Sequence, residues 1–430
     1  MMSDKLIKST NKRKHKQDLE GSIEFEQVIE RGAGIDVHKE TVVVTVQGKG
    51  IQTMTRTFGT FTADLVEMKT WLKENEVTHV AMESTGVYWK PVINVLGEDF
   101  KVILVNARHI KNVPGHKTDK KDSQWIAKLL LAGLLKGSFI PSRAIRRLRD
   151  LTRYRTQVTR MLASEKNRLL KILEDTNIKL SSVLKDVFCV SGRRILAVII
   201  GNENYEVEAL LVLMDKKVKA SKTDILKALS GKVDEGHRFM LKIIMDHILA
   251  LEKQIETIDQ EIKKESGPYS KELALLQTIP GVGETVAICM IAEIGVDMEQ
   301  FASHKHLSSW AGMSPGNNES AGKNRSGRTR QGNKWLKTKL VEAAWAASHT
   351  KDTYLRGKYR SLVGRKGPKK AVIALGHKIL ISVYHMLKEQ KTYQELGQEY
   401  VEKGRKDKLI NYHKTRLAEL EGGYKPLACA

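Results

Sequence analysis

A chain of 430 residues is longer than one ordinary hydrophobic core supports, and 41% hydrophobic against 29% charged residues excludes a mainly disordered protein. Lys and Arg outnumber Asp and Glu by 73 to 50, a formal charge of +23, which calls for a polyanionic partner and ranks nucleic acid ahead of a ribosome-associated or anionic-membrane role. Cys189, Cys289 and Cys429 lie far apart, which leaves neither a disulfide framework nor a zinc site to read. No apolar run approaches the roughly 20 residues of a membrane span, and the start of the chain lacks the apolar stretch of a secretory signal, so the expectation is a cytoplasmic protein without a membrane partner.

Residues 1–28 are polar and carry Asn11-Lys12-Arg13-Lys14-His15-Lys16, which cannot bury itself and reads as a basic flexible tail. From Gly32 the pattern becomes β-type: Gly34-Ile35-Asp36-Val37, Thr41 to Val46 and Met54 to Phe58 predict a three-strand meander. A helix over Ala63 to Glu74, a strand His79 to Met82, a helix after Gly86 and a strand Val102 to Val105 follow. The order βββαβαβ, then helix, suggests a mixed sheet covered by helices, an α/β domain of RNase H-like architecture. After Pro141 the strand pattern stops. Ile145 to Leu173 predicts a basic helix bearing Arg146, Arg149 and Arg153. Leu241, Ile244, Ile248, Leu251, Ile255, Ile258 and Ile262 alternate spacings of three and four, a heptad seam. A coiled coil between copies and an antiparallel hairpin within the chain both produce such a seam; self-association is favoured on functional grounds. Helices over Lys334 to Ser348 and Lys369 to Leu387 lead to a charged extension over 393–430.

Four acids of the first domain fall where strands end: Asp36 at the end of the first, Glu83 directly after the fourth, Asp119 and Asp122 after the fifth. Asp119 and Asp122, three apart, share one face of a helix. Carboxylates gathered at one sheet edge repel unless divalent cations neutralise them, and two Mg²⁺ ions about 4 Å apart would clamp the oxygens of a phosphoryl transfer, with Asp36 bridging. His38, Lys39, Lys90, Lys117, Lys120 and Lys121 surround these acids and suit phosphate contacts, while Tyr88 and Trp89 read equally as stacking faces or core.

Two loops complete the pattern. Ile279-Pro280-Gly281-Val282-Gly283 reads as a tight turn opening a helix, in which backbone NH groups could hold a phosphate as in helix-hairpin-helix modules, or the glycines could merely allow close packing. Met313 to Lys323 is an irregular loop whose Ser320 is followed by Lys323, Arg325, Arg328 and Arg330, cations able to hold a phosphate beside a nucleophilic hydroxyl.

In this order and separation, Gly34-Ile35-Asp36-Val37-His38-Lys39, Glu83 to Trp89, Lys117-Thr118-Asp119-Lys120-Lys121-Asp122, the Pro280 turn and the Ser320 loop resemble the insertion sequence 110 family of transposases and Piv-like invertases, from about Gly34 to Leu387. The resemblance implies a DEDD-type, RuvC-like domain over 29–142 with Asp36, Glu83, Asp119 and Asp122 as Mg²⁺ ligands. It further implies a helical linker over 143–268 and a serine-bearing transposase domain over 269–392 in which Ser320 attacks DNA. The family commonly has Gly after that serine, where this chain has Ala321; Ser326 is the alternative. A non-coding guide RNA, an active site composite between protomers of a dimer or tetramer, and association with the nucleoid are implied as well. The nucleic-acid contacts expected are Lys39, Lys117, Lys120, Arg146, Arg149, Arg153, Lys323 and Arg328. The competing readings are a hydrolytic nuclease of the Holliday-junction resolvase type and a nucleic-acid-binding protein without catalysis.

Overall fold

The computed structural model describes residues 28–84, 86–105, 119–135, 137–201, 204–215, 218–316, 319–320, 323–324, 329 and 331–421, with backbone alone at 119–121, 319–320, 323–324, 405, 408 and 421. They form two compact units that divide after Ile140.

The first unit is one mixed sheet between helices. Strands β1 (Arg31–Val37), β2 (Thr41–Gly48), β3 (Met54–Gly59), β4 (His79–Glu83) and β5 (Lys101–Val105) lie in the order β3-β2-β1-β4-β5. β1 runs antiparallel to β2 and parallel to β4, and β4 parallel to β5. As the central strand, β1 is covered on both faces, which is why its residues from Gly32 to Ile35 are apolar or glycine with no polar alternate until Asp36. One face carries Ile35, Val44 and Met82 and packs on Leu65, Met68 and Leu72 of α1 (Thr62–Glu74) and Leu96 of α2 (Trp89–Leu96). The other carries Gly32, Gly34 and Asp36 and is crossed by α3 (Asp119–Leu131), whose Ile126 and Leu130 pack with Ala81. The element order is therefore the one the residue pattern predicts.

The second unit is helical. A long helix α4 (Arg143–Asp175), begun by the Ser142 side chain accepting from the Ile145 amide at 3.4 Å, packs on an equally long helix α7 (Glu235–Ser266). Between them come α5 (Val190–Gly201) and α6 (Lys222–Leu229). Ion pairs Arg147–Glu265 at 2.6 Å and Lys166–Glu252 at 3.1 Å fix α4 and α7 as antiparallel. The heptad seam of α7, with Leu241, Ile244, Ile248, Leu251, Ile258 and Ile262 buried, is filled by α4 of the same chain. It is an intramolecular hairpin, and the seam no longer argues for self-association.

The remaining helices are α8 (Ser270–Gln277), α9 (Glu284–Ile294), α10 (His304–Trp310), α11 (Lys334–His349), α12 (Tyr354–Lys366), α13 (Pro368–Glu389) and α14 (Gly397–Glu421). Among the described residues α13 alone is long and apolar enough to cross a membrane, a run the composition reading passed over, and its Leu375, Ile379, Leu380 and Val383 are buried in the protein core. Within the segment expected as a charged extension, 393–430, α14 is seated on α12, with the Tyr354 and Tyr400 rings 6.0 Å apart, and 422–430 lie outside the described residues.

The basic helix turns part of its charge inward. Arg149 Nε and Nη2 donate to the carbonyls of Ala292 (2.9 Å) and Glu293 (2.7 Å), and Arg153 makes a bidentate pair with the Glu293 carboxylate at 2.7 Å in both arms. Burial pulls the Arg149 guanidinium down to about 10, with Glu293 opposing. These two arginines, four apart on the helix face that meets α9, close the last turn of α9 rather than face solvent. Glu293 is 3% exposed and also accepts from Asn333 Nδ2 at 2.5 Å. Removing it leaves two partly buried cations uncompensated. Glu293→Ala should therefore lower stability by about 3–5 kcal/mol, whereas Glu265→Ala, which frees the largely exposed Arg147, should cost under about 1 kcal/mol; urea unfolding followed by circular dichroism measures both.

Candidate active site

The acids of the first unit are brought together by register and by glycine. Ile35 pairs with Met82 across parallel β1 and β4, so Asp36 and Glu83, the next residues, end neighbouring strands on the face that α3 covers. At Gly34 an added Cβ would lie 2.2 Å from the Ser123 carbonyl oxygen and 2.3 Å from the Ala127 nitrogen, so only glycine lets α3 lie this close. Ser123 anchors the helix start. Its buried hydroxyl is 2.8 Å from Thr45 Oγ1, which is 2.8 Å from Thr55 Oγ1 on β3. Asp122, one residue earlier, is thereby held toward Asp36.

The electrostatics record that convergence. The Asp36 side chain is 14% exposed, and its carboxyl is pushed above the usual aspartate range, first by burial and then by repulsion from Asp122 and Glu83. His38 Nε2, 3.1 Å from Asp36 Oδ2, pulls the other way. His38 was read from the sequence as a phosphate contact; the structure makes it the partner of Asp36, a pairing two residues apart across the β1–β2 turn. Lys39 is exposed in that turn. Trp89 packs on the sheet core, while Tyr88 is 41% exposed beside it. Asp119 is the first residue of α3, but its side chain and that of Lys120 lie outside the described residues, as does Lys117. Among the described residues no group of three His, Cys, Asp or Glu side chains is arranged to hold a metal ion. The donor set itself is all hard oxygen, three carboxylates near enough to repel, which is the chemistry that Mg²⁺ or Mn²⁺ fits.

In the helical unit the Ser320 loop is fastened at both ends. Cβ atoms built on Gly332 would lie 2.2 Å from the Gly312 nitrogen, so the strands leaving and re-entering the core touch backbone to backbone. Lys337 Nζ donates to the Gly312 carbonyl at 3.2 Å and to Thr329 Oγ1 at 2.8 Å. Pro315 and Thr329 bridge, and beyond them β6 (Glu319–Ser320) pairs antiparallel with β7 (Lys323–Asn324). Ser320 thus stands opposite Lys323 at the end of a two-residue connection. Asn333 closes the loop: its Oδ1 accepts from the Trp335 and Leu336 amides at 3.0 and 3.1 Å and begins α11, while its Nδ2 reaches Glu293. The side chains of Ser320 and Lys323, together with Ser326 and Arg328, lie outside the described residues.

The Pro280 turn joins α8 to α9. Gly281 has φ +86° and its Cβ would lie 2.5 Å from the Ala343 carbonyl and the Ala347 nitrogen, so this glycine serves close packing of α11, the structural one of the two readings. Arg146 is partly buried on α4, and burial lowers its guanidinium below the usual value.

Two family models match this chain. Residues 33–178 match that of the DEDD transposases of IS110, described as "Transposase", and residues 273–360 match "Transposase IS116/IS110/IS902 family". The first spans the acids and the second spans Ser320. The transposase for insertion sequence element IS1111A of Coxiella burnetii is 23% identical over 73% of this chain and 79% of its own length. A Sinorhizobium fredii protein titled as transposase y4qE is 24% identical over 73% of this chain and 70% of its own. By these matches the chain is a transposase, with one family model falling largely on the mixed-sheet unit and the other on the helical unit. The chain belongs to the IS110 family of transposases.

The geometry predicts two outcomes at this site. Gly34→Ala must displace α3 from β1, at a cost of about 1–3 kcal/mol, and should reduce activity beyond what the stability loss explains because Asp122 moves with the helix. For Asp36, whose folded value lies above 3.8, the ionised form is the costly one, so its contribution to stability falls as pH rises through that window. In chelator, Asp36→Asn should melt higher than the wild type at neutral pH, and the difference should close as pH falls to 3.8.

Proposed function

We propose that this transposase cuts and rejoins DNA through an RNase H-like, RuvC-type domain in the first unit and a serine nucleophile in the second. The observation that carries the reading is the register that sets Asp36 and Glu83 side by side on the face that α3 covers, with Asp122 of α3 near enough to raise the Asp36 carboxyl. The strand order β3-β2-β1-β4-β5, with an antiparallel meander continued by parallel strands, supports the RNase H-like assignment. Asp36, Glu83 and Asp122, with Asp119 at the start of α3, are the residues that would hold Mg²⁺, which when bound neutralises phosphate charge and stabilises the transition state. His38 holds the Asp36 carboxylate in place, and Lys39 supplies a phosphate contact at the same edge.

Ser320 Oγ attacks a phosphorus of the DNA backbone. The Oγ–P bond forms as the bond to the deoxyribose oxygen breaks, and the serine proton ends on that leaving oxygen. Because a phosphodiester is exchanged for a phosphoserine ester, no water is consumed and the reverse attack by a second deoxyribose hydroxyl rejoins the strand. The pinned hairpin, held by Lys337 and by the Asn333–Glu293 contact, supplies the fixed placement such an attack needs. Lys323 and Arg328 flank that serine in sequence and would grip the phosphate. DNA is the substrate, the guide RNA and a dimer or tetramer are the partners we assign, and the site of action is the cytoplasm, at the nucleoid.

The test is covalent trapping: labelled junction DNA, Mg²⁺ and the element's RNA are incubated with the protein, then denatured. Label fixed to the wild type, and lost by on the order of 10³-fold or more in both Ser320→Ala and Asp36→Ala, is the expected result. Cleaved DNA without an adduct would remove Ser320 from the reaction and leave a hydrolytic nuclease.

A further inference from the structure

The groove between α12 and α14, about 1060 Å³, lies within the helical unit and is lined from both helices. Its walls combine two features that a protein-packing groove does not need. The first is charge: Lys358, Arg360 and Arg365 from α12 and Lys403 from α14 face it, against Asp407 as the acid. Arg360, Arg365 and Lys403 are exposed and enter no ion pair with the described residues. The second is aromatic surface: Tyr400 and Tyr412 are 59% and 65% exposed along the same walls, and the Tyr354 ring meets Tyr400 edge-on.

The groove floor adds an independent observation. Gly364 lies in the last turn of α12 and Gly404 in the interior of α14, where glycine weakens a helix. A Cβ built on either would meet nothing within 4 Å. Gly357 on α12 and Gly376 on α13 differ, since a Cβ there would lie 3.1 Å from Gln398 and 3.1 Å from the Leu340 carbonyl, whereas Gly201 at the end of α5 also meets nothing. Gly364 and Gly404 both open into this groove, so they leave room for something outside the chain to approach the backbone.

We propose that the α12–α14 groove binds single-stranded DNA. Phosphates pair with Arg360, Arg365 and Lys403, and unpaired bases lie on Tyr400 and Tyr412. Duplex DNA hides its base faces and would leave the tyrosines without a role. The proposal rests on the reading that this chain works on DNA and extends it to a place where a strand freed during exchange is held. Its readout is equilibrium binding in chelator, where no strand is cut, so it succeeds or fails independently of the serine adduct.

The experiment is fluorescence anisotropy with the full chain and a labelled oligothymidylate, with duplex DNA and oligouridylate of equal length in parallel. Gly364→Leu with Gly404→Leu fills the groove while favouring both helices, and should weaken oligothymidylate binding at least about tenfold. Arg360→Ala, Arg365→Ala and Lys403→Ala together should lower the slope of log affinity against log salt by about 2. Tyr400→Ala with Tyr412→Ala should weaken binding about tenfold or more with the slope unchanged. Oligothymidylate affinity within about twofold of wild type in all three variants would overturn the proposal, as would losses confined to the duplex or to the RNA.

Discussion

The seat of α3 on Gly34 is the contact on which the first unit depends. A helix normally rests on a sheet through its side chains, but here helix backbone meets strand backbone. That closeness lets Ser123 reach Thr45 in the sheet and sets Asp122 beside the ends of β1 and β4. Asp36 is largely buried at that edge, and burial is the largest cause of its raised carboxyl. Packing and electrostatics are therefore one feature: what makes the helix fit also makes the carboxylate costly to ionise.

The helical unit has its own centre at Glu293. A buried carboxylate is tolerated only when each oxygen is paired, and here α4 supplies Arg149 and Arg153 while the loop before α11 supplies Asn333. Through Asn333 this knot fixes the return of the Ser320 loop, and through Lys337 the loop's departure and return are clamped to one another. The strongly basic composition is accordingly divided. Part of it is internal glue on α4, and part remains exposed, as along α12 and α14.

What could be read in advance follows from how local each signal is. The Val42–Val44 run, the glycine-bounded strands and the helix over Ala63 to Glu74 carry their period in a short window, and the element order was legible from them. Asp36, Glu83 and Asp122 were legible because strand ends gather in a mixed sheet. The role of Gly34 was not, since it depends on a helix almost 90 residues later. Arg149 and Arg153 looked like phosphate contacts because charge in a sequence has no partner; Glu293 lies 140 residues from Arg153. The heptad seam of α7 showed that a helix partner exists and could not show that α4 of the same chain fills it. The last segment read as an extension because its charge conceals the face that meets α12.

The most direct test of the account is a Mn²⁺ titration of the full chain by calorimetry, comparing wild type with Asp122→Asn. The account predicts that the wild type takes up the ion and that the variant, with the same fold by circular dichroism, loses at least about tenfold in affinity. Superimposable isotherms would contradict it, because the carboxylates gathered by α3 would then not be a cation site.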